Sequence, residues 1–366
     1  MFEMDNLSQD MIDFFSSFGA DIQTLDQMEV IKSFTTVENE IFSLNNGTGL
    51  RYMNTSGIVE LKGVDSLNFL NRISTNSMTN LSKEEIRSTI FTSEKGLIIG
   101  VSTVLNFESY LLLVTSIFSK PKVLSWINKY IIGDDIKVSD ASHRFNIFEV
   151  MGPQSESFLS MFVGDSINSI PVNSFKVVNA EGVLFFLARF TDLKGFSKFW
   201  ILAEHENSKK LINYLVENKG PFDFNLIGED AYNVYKIENG IPSEPNEINY
   251  MMNPYEVKLF ELIDFKKGSY IGQEVITRLN NNDLNQKNLI RMCFSEPIEA
   301  DEKFVLFDAE KNEIGNITSI AFSPKLKKSI ALGFVKNPFA VQGTKVLAKN
   351  ETKSFEVVVN ELPQRQ

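Results

Sequence analysis

Apolar positions in this chain recur with two periods, helical in some segments and alternating in others. Phe14, Phe15 and Phe18 fall at helical spacing and Gly19 ends the run, so residues 1–48 read as a helical lead-in. Gly57–Leu61 alternates like a strand. Asp65 then stands as an N-cap before a helix with Leu67, Leu70 and Ile73 on one face. Strand-like runs follow at Ser88–Thr92, Leu97–Leu105 and Tyr110–Thr115, joined by turn-like Ser93–Gly96 and Asn106–Ser109. Ser119-Lys120-Pro121 opens a helix carrying Leu124, Ile127 and Ile131, which Gly133 closes.

A second unit of the same texture starts at Phe145. Strand Asn146–Met151 precedes a helix through Phe158 and Leu159. Strands Phe175–Val178, Val183–Phe190 and Lys198–Leu202 follow, then helices Ser208–Asn218 and Glu229–Glu238. After Asn288 only short β-like runs remain: Leu289–Phe294, Phe304–Phe307, Glu313–Phe322, Ile330–Val335, Lys345–Ala348 and Ser354–Val359. Such a series without helices predicts a small barrel. The expected class is α+β. Its expected divisions are an acidic helical lead-in (1–48), a first α+β domain (49–144), a second α+β domain (145–287) and a C-terminal β-barrel (288–366).

Composition narrows the chemistry. The chain has 366 residues, 43% of them hydrophobic, enough for several packed cores. A net charge of −11 argues against general nucleic-acid binding. Cys293 is the single cysteine, so no internal disulfide or cysteine metal cluster is expected, and with His143 and His205 the only histidines no metal site is expected either. All three residues read as structural or surface positions. Before Lys32 the chain carries seven acidic residues and no basic one, unlike a signal or transit peptide. No apolar run approaches the roughly 20 residues needed to span a bilayer. A cytoplasmic monomer without membrane contact is expected.

The densest polar segment is Lys266-Lys267-Gly268-Ser269-Tyr270-Ile271-Gly272-Gln273-Glu274-Val275-Ile276-Thr277-Arg278. Its two glycines permit a tight backbone. Gln273 through Arg278 reads as a helix start, with Glu274 and Arg278 spaced for an ion pair. Free N–H groups there, with Lys267 beside them, suit an anion. The same residues also suit a glycine-capped domain junction held by surface charge.

This segment resembles the signature of the YgfZ family, Lys-Gly-Cys-Tyr-x-Gly-Gln-Glu followed by Arg, within the superfamily of the glycine-cleavage T-protein, an aminomethyltransferase. Collinear resemblances extend over roughly residues 50–350: Gly63, Asp65, Phe69, Leu70, Thr75 and Asn76 near the start; Phe148–Pro153; Ile237, Glu238, Gly240, Ile241 and Pro242; Asn253-Pro254-Tyr255-Glu256; and Gly315–Pro324 in the expected barrel. The resemblance implies three domains around a central channel that binds tetrahydrofolate. It implies ligand contacts from Arg189, Lys236, Glu238, Tyr270, Gly272, Gln273, Glu274 and Arg278. It also implies an accessory role toward iron–sulfur enzymes.

Departures qualify what is inherited. The T-protein's paired aspartates fall at Ile99 and Gly100, so no carboxylate remains there for aminomethyl transfer. Phe196 falls where a pterin-gripping Glu is found, with Asp192 a nearby substitute. Lys236 stands where the superfamily often has Arg. The signature cysteine is Ser269, a hydroxyl that cannot act as a redox or metal-binding thiol. Ser269 and Lys267 are thus the positions where signature chemistry would sit. The channel is expected between the α+β units, near Arg189, Lys236 and the Lys267–Gln273 loop, with Ser269 at its mouth. Two alternatives stay open: a folate-dependent aminomethyltransferase, and a scaffold of the same fold that binds no folate.

Overall fold

The computed structural model describes residues 9–25, 28–282, 286–300 and 302–363. Its first helix, α1 (Gln9–Ser16), buries Met11 and Phe15. A hairpin follows, β1 (Asp21–Leu25) and β2 (Met28–Ser33), then α2 (Val37–Asn46). The lead-in is therefore not helical throughout. Met28, Val30 and Ile31 of β2 are buried, and strand alternation replaces helical spacing there. Of the seven acidic residues, Glu3, Asp5 and Asp26 lie outside the described residues.

β3 (Thr48–Tyr52) comes next. Then β4 (Ser56–Lys62), α3 (Ser66–Ile73), β5 (Ile86–Thr92), β6 (Ile98–Asn106), β7 (Leu111–Ser116), α4 (Lys120–Tyr130) and β8 (Lys137–Asp140) form the first mixed layer. Its antiparallel sheet runs β5-β6-β7-β4-β8. Phe69, Leu70 and Ile73 of α3 and Val123 and Ile127 of α4 bury one face of it. Asp65 precedes α3 as expected, but its carboxylate accepts the Asp135 N–H at 2.8 Å instead of capping the helix.

The second layer contains β9 (Phe145–Met151), α5 (Ser155–Val163), β10 (Ser174–Ala180), β11 (Val183–Thr191), β12 (Ser197–Glu204), α6 (His205–Glu217), β13 (Phe224–Ile227) and α7 (Glu229–Asn239). Its sheet order is β10-β11-β12-β9-β3-β13, with only the β13–β3 pair parallel. β3 thus belongs here, although it opens the stretch expected to be the first domain. Its residues pair on both edges, with β9 and β13, and Thr48–Arg51 are buried. α1 joins this layer too, because Met11 and Phe15 pack with Phe148, Phe158 and Leu211.

The inner faces of the two sheets meet directly. Ile58, Leu105, Leu112 and Val114 from the first pack against Ile147, Ala188, Trp200 and Leu202 from the second. Beyond the helix α8 (Gln273–Asn282), the chain closes a six-stranded barrel in the order β14-β17-β16-β15-β18-β19. These strands are β14 (Lys287–Phe294), β15 (Val305–Phe307), β16 (Glu313–Ser323), β17 (Lys328–Lys336), β18 (Lys345–Lys349) and β19 (Ser354–Asn360). The barrel docks through Leu289, Ala321, Ile330, Leu332 and Phe334 onto a cluster that includes Ile41, Ala231, Val234 and Ile237. Among the described residues no helix is long and apolar enough to cross a membrane.

Three carboxylates, Glu40 and Glu247 buried and Glu238 half-buried, fix where these parts meet. Glu40 on α2 accepts the N–H groups of Phe34 and Thr35, after the hairpin, and of Gly228, before α7. Glu238 on α7 accepts Ser323 Oγ of the barrel at 2.6 Å, and its main-chain oxygen accepts Arg291 Nη1 at 2.6 Å. Glu247, fully buried, accepts Ser243 N at 3.0 Å, Thr318 Oγ1 at 2.5 Å and Ser319 Oγ at 2.6 Å. Hydrogen bonds to a charged group contribute roughly 1.5–3 kcal/mol each, and orphaned partners add a further cost. Glu247→Ala is expected to cost about 3 kcal/mol, read as a lower urea midpoint. An unchanged midpoint would show that this carboxylate does not anchor the barrel.

Candidate ligand cavity

A cavity of about 650 Å³ opens where the two sheets, α7, the first hairpin and the loop after α7 converge. That volume lies within the range of roughly 300–1,000 Å³ typical of small-molecule sites. Val101 and Thr103 from β6, Val114 and Thr115 from β7, Trp200 from β12 and Met28 and Val30 from β2 supply much of its wall. α7 presents Glu229, Tyr232 and Lys236, spaced i, i+3, i+7 along one face. Gly240 ends α7 in the left-handed region (φ 65°), and its N–H bonds back to the last turn. This turns the chain sharply into the segment Ile241–Ile248, most of which also lines the cavity.

A charge network spanning three adjacent strands and a helix runs into the cavity floor, where Arg51, Trp200, Glu229 and Tyr232 line it. Arg51 of β3 donates from Nε and Nη2 to Glu229 Oε1, at 2.8 and 2.6 Å, and lies 3.8 Å from the centre of the Tyr232 ring. Its Nη1 is 3.6 Å from Glu149 Oε2 on β9. Glu149 Oε1 also meets Lys198 Nζ at 3.0 Å and accepts Trp200 Nε1 at 3.2 Å. Burial alone would raise the Glu149 pKa, but Lys198 and Arg51 outweigh it and hold the group below the usual carboxylate range. Burial opposes the Arg51 charge, yet Glu229, Tyr232 and Glu149 hold its pKa above the ordinary value.

Lys236 differs from these paired groups. Its Nζ is 3.4 Å from Ser243 Oγ, and among the described residues no carboxylate comes within ion-pair distance of it. Burial lowers its pKa, with only partial relief from Glu229. Such an ammonium, facing a cavity, is poised for an anionic group.

The cavity includes some of the residues expected from sequence and excludes others. Lys236 lines it. Arg189 does not: it points from β11 to Glu156, with Nη2 2.9 and 2.8 Å from its two carboxylate oxygens, and also meets Ser197 Oγ. Glu238 is committed to the barrel. Asp192 accepts the Lys194 and Phe196 N–H groups within the β11–β12 turn, and Phe196 is exposed there. Arg189 and the Lys267–Gln273 loop, expected beside the channel, do not border this cavity. Cys293 is half-buried and accepts a bond from Asn360, and His205 packs beside Asn146.

The signature segment packs on the first layer instead. Lys267 Nζ donates to the main-chain oxygens of Asn71, Ser74 and Asn76 at 2.6–2.7 Å, closing the end of α3. Burial pushes its pKa down to about 8. These carbonyls occupy the ammonium that was expected to wait for an anion. Tyr270 is buried as an inward anchor. Thr92 Oγ1 donates to Ile271 O at 2.8 Å, and Gly272 (φ 87°) lies so close that an added Cβ would stand 2.5 Å from Ser93 O. Gln273 begins α8, half-buried, its N–H bonded to Tyr270 O, while Glu274 and Arg278 are exposed and form no ion pair among the described contacts. Ser269, expected at the channel mouth, is exposed on this face and does not line the cavity.

Arg51, Glu229, Tyr232 and Glu244 were not singled out from the sequence. The face formed by Glu229, Tyr232 and Lys236 is readable from spacing; the arrival of Arg51 depends on β3 joining the second sheet.

Two outcomes follow from this geometry. Ser269→Cys should fold normally, and its exposed thiol should be alkylated faster than Cys293; slower alkylation would place residue 269 against packed structure. Because the Glu149 pKa is depressed, its contribution to stability is complete above the usual carboxylate range and is lost as pH falls through the depressed value. Denaturant midpoints measured below about pH 4 should therefore fall more steeply for the wild type than for Glu149→Gln. Parallel acid limbs would refute the assignment.

Comparison with known proteins fits this architecture. The GCVT N-terminal domain matches residues 11–267, and the Glycine cleavage T-protein C-terminal barrel domain matches residues 289–364. An aminomethyltransferase of Bacillus mycoides is 26% identical over 357 residues, covering 96% of each chain. One from Desulfitobacterium hafniense is 27% identical over 326 residues, covering 89% of this chain and 88% of that protein. The crystal structure of glycine cleavage system aminomethyltransferase T from Bartonella henselae superposes with a TM-score of 0.86 at 19% identity, over 99% of this chain and 98% of that one, a likeness of fold. With both family domains matched in order, this chain belongs to the glycine cleavage T-protein family.

Proposed function

We propose that the chain binds a tetrahydrofolate-type ligand in the cavity between its sheets and serves as a YgfZ-type accessory protein to iron–sulfur enzymes, without performing aminomethyl transfer. The observation that carries the folate reading is the half-buried Lys236, without an ion-pair partner among the described residues, in a cavity of about 650 Å³ with Trp200 and Tyr232 in its wall. The ligand's carboxylate would meet Lys236, and a flat ring system would lie against apolar and aromatic side chains. A tetrahydrofolate bound there would supply a one-carbon carrier; the protein's part is to orient it and exclude water.

The β6 stretch argues against transfer chemistry. A Cβ at Gly100 would stand 2.6 Å from Val123 Cγ2 and 3.0 Å from Ser119 Cβ, so a carboxylate there would need the Val123 and Ser119 side chains to shift. Ile99 packs against the apolar cluster that contains Val123. The accessory role rests on the signature segment, in which the exposed Ser269 stands where the YgfZ pattern has cysteine. The second reading, aminomethyl transfer, is favoured by the names of relatives that match nearly the whole chain.

Calorimetric titration with 5-formyltetrahydrofolate tests the ligand, and a glycine-cleavage assay tests the reaction. The wild type should bind, and Lys236→Met should weaken binding about tenfold, as loss of one charge-assisted contact predicts. No heat from the wild type would sink the folate reading. Turnover at the rate of an authentic T-protein would establish the second reading. Complementation of a strain lacking YgfZ, improved by Ser269→Cys, would support the accessory role; none with either form would remove it.

A further inference from the structure

Three acidic side chains line the cavity, and two have their cations. Glu229 is held by Arg51, and Asp230 pairs with Lys32. The third, Glu244, has no cation within ion-pair distance among the described residues. It sits between Pro242 and Pro245 on the loop after α7, with Oε1 3.4 Å from the Val101 N–H. It therefore stands beside β6, next to the stretch where Ile99 and Gly100 offer no carboxylate. A small side pocket of about 50 Å³ shares Glu244, Phe118, Pro245 and Ile248 with the main cavity, so this carboxyl lies on the partition between the two.

We infer that Glu244 is the specificity-determining carboxylate of the cavity, which holds an N–H-donating or cationic nitrogen group of the same ligand whose anionic group meets Lys236. A cavity with one half-buried ammonium and one half-buried carboxyl, each without an ion-pair partner among the described residues, selects a molecule carrying both complements, because each charge is otherwise only partly compensated. Burial raises the Glu244 pKa, with hydrogen bonds from Ser119, Val101 and Ser116 and the more distant charge of Lys122 in the side pocket offsetting part of the effect, and a donor ligand would further favour the ionised form. The identity of that ligand as a folate rests on the preceding reading; the role of Glu244 does not.

The test uses the full chain and the near-isosteric Glu244→Gln, with Glu244→Ala as a second variant and urea midpoints confirming that they fold. Calorimetry compares 5-formyltetrahydrofolate with p-aminobenzoylglutamate, which lacks the donor-rich ring. At least tenfold weaker binding of the complete folate by both variants, with the fragment unaffected, is the expected result. Equal affinity of wild type and variants for the complete folate overturns the role of Glu244 and leaves the folate reading standing. If the wild type binds neither compound, the folate reading fails and a second measurement decides. In a Trp126→Phe background, 2,4-diaminopyrimidine should quench Trp200 fluorescence with Glu244 present and at least tenfold more weakly with Gln. Equal quenching, or none in either protein, overturns the inference.

Discussion

A buried carboxylate stays ionised only where cations or hydrogen-bond donors reach it, and Glu149 imposes that condition at the centre of the molecule. Lys198 and the Trp200 N–H come from β12 on one side, and Arg51 comes from β3 on the other. Arg51 also extends to Glu229 and lies under Tyr232, which sets the rotation of α7. With that face fixed, Lys236 projects one turn further along the same cavity wall. Replacing such a network by apolar packing is often neutral for stability, so what the charges supply here is position.

The barrel is held to this centre at both ends of one turn. Glu238 binds it from the last turn of α7, and Glu247 binds it seven residues after Gly240. Between these anchors the chain lines the cavity with Ile241–Asn246. The loop that carries Glu244 is therefore tethered to α7 before it and to β16 after it. A ligand-facing group on a loop needs that kind of second support, because loops alone hold side chains less accurately than helices or strands.

Much of the element content was legible in the sequence. The six barrel strands are separated by turn residues, and their expected runs overlap β14 to β19. The strands β4 to β7 and β9 to β12 were equally readable. What local pattern could not supply was allocation. Thr48–Tyr52 is a short buried run whose membership in the second sheet depends on partners about 100 and 175 residues away. Arg51 enters the cavity only through that pairing, so the floor of the site was invisible to spacing arguments. The hairpin within residues 21–33 was absorbed into a helical reading because the phenylalanines before it dominate the pattern. Lys236 was expected from the family resemblance, and it lies on a helix that spacing predicts.

The signature segment shows how one set of residues can suit two roles that only geometry separates. Two glycines, a lysine and a helix start have the composition of an anion site. In the fold, Lys267 closes the end of α3, Tyr270 is buried, and Gly272 allows close passage beside Ser93. Each of these uses fastens the segment to the first layer and leaves little free for chemistry. Ser269 is different, because it is exposed on a backbone held rigid from both sides. Within this segment the fixed residues act as a mount and residue 269 is what the mount presents. A change from thiol to hydroxyl at that point can alter chemistry while leaving the surrounding contacts in place.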